Sequence, residues 1–191
     1  MSPARAVLGG GSSRRMGTDK VMFDVDGVPM GLRVARALGL ANGHQVHLVG
    51  GSPKTAALLE LSHIPDRLPG EGPLVGVWSA LEYLGSDVIV AACDLAMVDS
   101  ATVEAFCSTE MDGFEAAVAV VDGRWQPSLA RWNRSALVRV AAAVEGGERS
   151  LLLMLSELDV AEIHCDAGKM VNVNRLADLP KAAQHKCPDN R

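Results

Sequence analysis

The residues best suited to chemistry in this chain lie near its start. The stretch "VLGGGSSRRMGTDK", residues 7–20, sets three glycines, Arg14, Arg15 and Lys20 behind a short apolar run. Gly9, Gly10 and Gly11 let backbone amides approach an anion closely, while the three cations can oppose the charge of a polyphosphate. Asp94 is a second candidate: it follows the apolar run "VIVAAC", which reads as a strand, so its carboxylate falls at that strand's carboxyl end. A carboxylate there is a hard oxygen ligand suited to Mg²⁺. In "VNVN", residues 171–174, Asn172 and Asn174 alternate with valines, and on a strand both amides would face one side. Each feature has a plainer alternative: a surface connection with solvated cations, a helix cap or turn at Asp94, and satisfied turn amides at Asn172 and Asn174. The five histidines have no partner at metal-ligand spacing and read as structural or solvated.

These groups need elements to position them. Apolar runs at residues 5–8, 45–49, 87–92 and 116–121 read as strands, the later ones buried on both faces. Helical spacing occupies 30–41, 55–61, 75–84, 101–107 and 136–144, and "SLLLMLSEL" reads as a further core or lid helix. The βαβα alternation predicts a mostly parallel sheet with helices on both faces and right-handed crossovers. "FDVDGVP" carries the Asp-Gly signal of a tight hairpin, and "DGRWQPSLARW" reads as a turn into an extended segment, so the sheet is expected to be mixed. In such a sheet ligands bind beyond the carboxyl ends of the strands, where both the glycine-rich loop and Asp94 fall.

Composition narrows the partners. A formal charge of −5 argues against a general nucleic-acid or membrane surface, and no apolar run reaches the ~18 residues of a membrane span. Cys93, Cys107, Cys165 and Cys187 lack C-x-x-C spacing and nothing resembles a signal peptide, so a reduced cytoplasmic setting is expected. One domain over residues 1–183 is expected, with a polar tail at 184–191. Two familiar phosphate loops do not fit. Gly17 is followed by Thr18, Asp19 and Lys20 rather than the Gly-Lys-Ser/Thr of a P-loop, and a dinucleotide fingerprint begun at Gly9 places Arg14 where its third glycine belongs.

The opening stretch instead resembles the L-A-G-G-x-S-x-R-M-G-x-D-K signature of the molybdenum cofactor guanylyltransferase family, with Gly9 standing where that family usually has alanine. Further segments agree in order: "DRLPGEGPLVGVWSAL" from Asp66, "AACDLAMV" around Asp94 with Ala96 for the usual proline, "WQPSLARW", and "VNVNRLADL" with Arg175-Leu176 for Thr-Pro. The resemblance implies a three-layer α/β/α Rossmann-like nucleotidyltransferase fold. It also implies a Mg²⁺-dependent transfer of GMP from GTP to the molybdenum-pterin cofactor, giving the guanine dinucleotide form and pyrophosphate. Arg15 and Lys20 would hold the triphosphate, Asp94 the metal, and Leu8, Gly9, Gly10, Gly11 and Asp66 the rest of GTP. Gln126, Pro127, Asn172 and Asn174 would meet the acceptor. Gly50 stands where the family often has asparagine, so a contact there would come from main chain. Asp66, before a Pro/Gly-rich loop, could otherwise be an Asx-type turn. Arg14 reads as a solvated cation, and Asp19 as a residue that orders the loop. Within the same chemistry a cytidylyl or other nucleotidyltransferase is the alternative; outside it, a non-catalytic nucleotide or cofactor carrier. Cofactor-delivery proteins or apo-molybdoenzymes are the macromolecular partners implied.

Overall fold

The computed structural model describes residues 2–9, 20–174 and 178. The chain enters as β1 (Ala4–Leu8), and a short hairpin of β2 (Asp24–Val25) and β3 (Val28–Pro29) leads into α1 (Met30–Ala37). There follow β4 (Val46–Val49), α2 (Pro53–Leu58), β5 (Ser62–Ile64), α3 (Pro73–Leu84) and β6 (Val88–Ala92). The second half runs α4 (Ser100–Ser108), β7 (Ala116–Val121), β8 (Arg124–Trp132), α5 (Leu137–Glu145), α6 (Leu151–Ser156) and β9 (Val160–His164). Among the described residues, seven strands form one sheet in the order β5-β4-β1-β6-β8-β7-β9. The pairs β5-β4, β4-β1, β1-β6 and β7-β9 are parallel, and β8 runs antiparallel to both its neighbours.

Strand alternation builds the two apolar layers. Leu8, Val49 and Val90 point to one face with Leu81, Val140 and Leu155 from α3, α5 and α6. Val7, Leu48 and Ile89, one position along, point to the other with Val34, Ala56 and Phe106 from α1, α2 and α4. Fully burying each Val, Leu or Phe contributes about 1.5–3 kcal/mol, which fixes register because a one-residue slip would exchange the faces. No helix among the described residues is long and apolar enough to cross a membrane.

Several boundaries differ from the sequence pattern. Helical spacing runs on to residue 41, yet α1 ends at Ala37 because Gly39 turns left-handed at φ +100° and a 3-10 turn, Leu40–Asn42, follows. The buried Arg5 requires that turn: its guanidinium donates to the Leu38 carbonyl at 2.6 Å, and a Cβ on Gly39 would lie 2.1 Å from Arg5 Nη1. Helix α2 starts earlier than its spacing suggests, with Pro53 in its first turn and Ser52 capping Thr55 N at 3.0 Å. The short strand β5 and the half-exposed edge strand β9 gave too few periodic positions to be seen. In β8 the register with β7 jumps from Ala130 opposite Val118 to Gln126 opposite Ala119. Pro127, which has no amide to donate, sits in that lapse of the ladder. The tail at 184–191 lies outside the described residues.

Candidate active site

After β5 the chain crosses to β6 on the far side of β1, so the direction of winding reverses between β1 and β6. Strand ends at such a point diverge and leave a crevice. Leu8 ends β1 beside Val49 and Ala92, Gly9 N donates to Val49 O at 2.9 Å, and Cys93 N donates to Leu8 O at 3.2 Å. Gly9 is packed tightly: a Cβ there would lie 2.6 Å from Leu48 Cδ1 and 3.0 Å from Val21 Cγ2. Leucine at 48 thus fills the space that an alanine at 9 would take. Gly10, Gly11, Arg14, Arg15 and Asp19 lie outside the described residues.

Lys20 opens a 3-10 turn, Lys20–Met22, whose Val21 is fully buried and pressed against α1. A Cβ on Gly31 would come within 2.3 Å of Val21 Cγ1, so this close approach requires glycine. The turn delivers Lys20 Nζ to Asp94 Oδ2 at 2.8 Å and to Asn174 Oδ1 at 2.7 Å. Both members of the Lys20–Asp94 pair are partly exposed, 28% and 20% by side chain, so the pair is only partly desolvated and contributes little by itself to stability. Asp94 Oδ1 is buried and has no hydrogen-bond partner among the described residues. The cap of α4 is Asp99, which accepts from Thr102 N at 2.9 Å, so Asp94 is not spent on capping. Lys169 and Thr102 hold the Asp99 carboxyl at about 2, well under the usual carboxylate value.

Residues 171–174 are strapped to the same spot. Val173 N donates to Asp94 O at 2.8 Å, and the fully buried Val173 side chain packs with Val25, Met30 and Ala96, which ties the β2–β3 hairpin, the loop after β6 and residues 171–174 together. Asn174 N donates to Asp178 Oδ2 at 2.8 Å. Residues 171–174 form no strand, in contrast to the alternating pattern, although the valines are more buried than the exposed Asn172 and Asn174. The structure therefore joins Lys20, Asp94 and Asn174 directly, and joins neither asparagine to Gln126. Gln126 and Pro127 are half-buried in the first part of β8, which lies at the carboxyl end of β6 because Leu129 pairs with Ala91 and the strands are antiparallel.

On the other side of β1, Asp66 follows β5 and faces α3, where a Cβ on Gly76 would meet Leu8 Cδ2 at 3.1 Å and Asp66 Oδ1 at 3.7 Å. Burial pushes the Asp66 carboxyl above its ordinary value, and the charge of His63 opposes that shift. Among the described residues the carboxylate accepts no hydrogen bond, so the Asx-turn alternative finds no support. The Gly50 main chain is already engaged, its N–H with Ile64 O at 2.9 Å and its carbonyl with His63 Nε2 at 3.2 Å. The carbonyl keeps a second lone pair, so a main-chain contact at Gly50 would have to be made there.

A divalent cation fits one part of this arrangement. Among the described residues no three His, Cys, Asp or Glu side chains gather into a metal cage. A Mg²⁺ that keeps its waters and takes phosphate oxygens needs only one or two carboxylates, and the orphaned Oδ1 of Asp94 supplies one hard donor. Sequence alone could not show the Lys20–Asn174 contact, which spans 154 positions, or the His63–Gly50 bond; no local spacing encodes either.

The comparisons with known proteins agree with this geometry. Residues 6–160 match the family model described as MobA-like NTP transferase domain. A relative from Bacillus licheniformis named probable molybdenum cofactor guanylyltransferase is 30% identical over 190 residues, covering 94% of this chain and 95% of that one. The crystal structure of molybdopterin-guanine dinucleotide biosynthesis protein A from Archaeoglobus fulgidus aligns with a TM-score of 0.77 at 27% identity, covering 96% of this chain and 98% of that one. The 2-C-methyl-D-erythritol 4-phosphate cytidylyltransferase of Thermus thermophilus shares the fold alone, with a TM-score of 0.69 at 16% identity and coverage of 97% and 98%. With its mixed α/β sheet and the reversal of winding beside β1, the chain belongs to the MobA-like NTP transferase family and is a nucleotidyltransferase.

Proposed function

We propose that the enzyme transfers GMP from GTP to the terminal phosphate of the molybdenum-pterin cofactor. An acceptor phosphate oxygen bonds to the α-phosphorus, the bond from the α-phosphorus to the bridging oxygen breaks, and pyrophosphate leaves. The observation that carries this reading is the Lys20–Asp94 pair at 2.8 Å, set just past the carboxyl end of β6 where winding reverses. The names of the relatives support guanine and the pterin acceptor.

Two anions must meet while charge builds on the leaving group, so catalysis rests on positioning and neutralisation rather than on a protein nucleophile. Lys20 places its ammonium against triphosphate oxygens; Arg15, Gly10 and Gly11 take phosphate-binding roles by resemblance. Asp94 would hold Mg²⁺ through Oδ1, and that ion would neutralise phosphate charge when bound. Leu8 and Gly9 line the floor of the site, and Asp66, ionised, accepts from the adjacent N1–H and N2–H₂ donors of guanine. Gln126, Pro127, Asn172 and Asn174 border the acceptor side.

Pyrophosphate release measured with each of the four nucleoside triphosphates, in the presence of Mg²⁺ and the pterin cofactor, tests the proposal. GTP is expected to be used best. Equal or greater use of CTP overturns the base assignment, and no release with any triphosphate overturns the reaction.

A further inference from the structure

The sequence resemblance gives Asn174 to the acceptor, yet its side-chain oxygen is turned to Lys20. An ammonium has three N–H donors. Two of them are spent here, on Asp94 Oδ2 and Asn174 Oδ1 at 2.8 and 2.7 Å, which leaves one for a phosphate oxygen. Asn174 is itself held: its amide donates to Asp178, and the preceding Val173 is buried and bonded to the main chain of Asp94. A lysine side chain is flexible, and two fixed oxygens remove most of its rotamer freedom before any ligand arrives. The same arrangement keeps the ammonium on Oδ2, so that Oδ1, buried and without a partner among the described residues, stays available to a cation.

We infer that Asn174 is a positioning residue for Lys20, sharing its ammonium with Asp94 so that one N–H is aimed at the triphosphate and one Asp94 oxygen is reserved for a divalent cation. The inference rests on the proposed triphosphate site but not on which base that site selects. A residue that only touched the acceptor would leave nucleotide binding unchanged in the acceptor's absence. A positioning residue weakens it, and does so only while Lys20 is there to be positioned.

The test is calorimetric binding of the α,β-methylene analogue of GTP with Mg²⁺ and no acceptor, to the wild type, Asn174→Ala, Lys20→Met and the Lys20→Met/Asn174→Ala double variant. Loss of a charge-assisted hydrogen bond at a partly exposed site is expected to weaken binding about fivefold to tenfold in Asn174→Ala. The double variant is expected to bind no worse than Lys20→Met. Wild-type affinity in Asn174→Ala overturns the inference, and so do losses that multiply in the double variant. If the wild type prefers the CTP analogue, the base assignment fails and the same cycle run with that analogue still decides the role of Asn174. No binding of any triphosphate analogue to the wild type sinks both.

Discussion

Replacing Gly9 with alanine, the residue usual at this position in the family, is expected to harm this chain. The new methyl would lie 2.6 Å from Leu48 Cδ1 and 3.0 Å from Val21 Cγ2, and both neighbours are fully buried. Returning the first contact to the 3.4 Å of Leu48 Cγ needs a shift of roughly 0.8 Å inside a close-packed layer. Overpacking of this kind costs about 1–3 kcal/mol, and the lost freedom of glycine in the unfolded chain returns about 0.4–1, leaving a net loss of about 1–2 kcal/mol. For a domain of this size that lowers Tm by about 3–6 °C. A denaturation cycle with Leu48→Ala isolates the cause. Leu48→Ala alone is expected to cost about 2–5 kcal/mol by opening a cavity, which the alanine at position 9 partly fills, so the double variant should be less destabilised than the sum by about 1 kcal/mol or more. Costs that add within about 0.5 kcal/mol would refute the packing argument.

Asp94→Ala is expected to lower turnover by at least about a hundredfold while leaving the denaturation midpoint near wild type, because the pair it breaks is partly exposed; near-normal Mg²⁺-dependent pyrophosphate release would remove Asp94 from the reaction. Asp66→Asn is expected to trade function for stability. Burial raises the Asp66 carboxyl, so the folded chain binds more protons than the unfolded one just above the ordinary carboxylate value, and stability falls as pH rises through the raised value. The variant should therefore melt higher than wild type at pH 7, show no such gain at pH 3.5, and bind GTP more weakly; a lower Tm at pH 7 would contradict the cause. Asp99 has the opposite sign: its carboxyl, lowered to about 2, adds stability above its unfolded value near 3.8 that drains away as pH falls from about 4 to 2. Asp99→Asn should flatten that part of an acid-unfolding profile, and an unchanged slope would mean that the Lys169 and Thr102 contacts do not persist in solution.

What the sequence disclosed followed from how local each signal was. The strands before Gly9 and Asp94 are short apolar runs ended by residues of a different kind, so period and punctuation together located the crevice. The hairpin was legible because Asp26 and Gly27 both take positive φ, which an Asp-Gly pair tolerates. The end of α1 was not legible: Gly39 is one glycine inside a continuing helical pattern, and what forces the turn is Arg5, whose guanidinium arrives from the sheet. Strand β5 offered three residues, too few for a period. At the site, residue types were readable and partnerships were not. Asn174 and Lys20 each carry a motif, but that one grips the other depends on Val173 being buried beneath the loop after β6.

That strap sets the order in which the protein becomes competent. All seven strands of the sheet have been made by His164, yet Lys20 gains its second anchor only when residues 173 and 174 dock, so a growing chain can complete its core and still lack a finished catalytic end. With the sheet standing, only residues 165–174 remain to close, a short segment whose entropy cost is small. The core can therefore stand without residues 173 and 174, while the seating of Lys20 cannot.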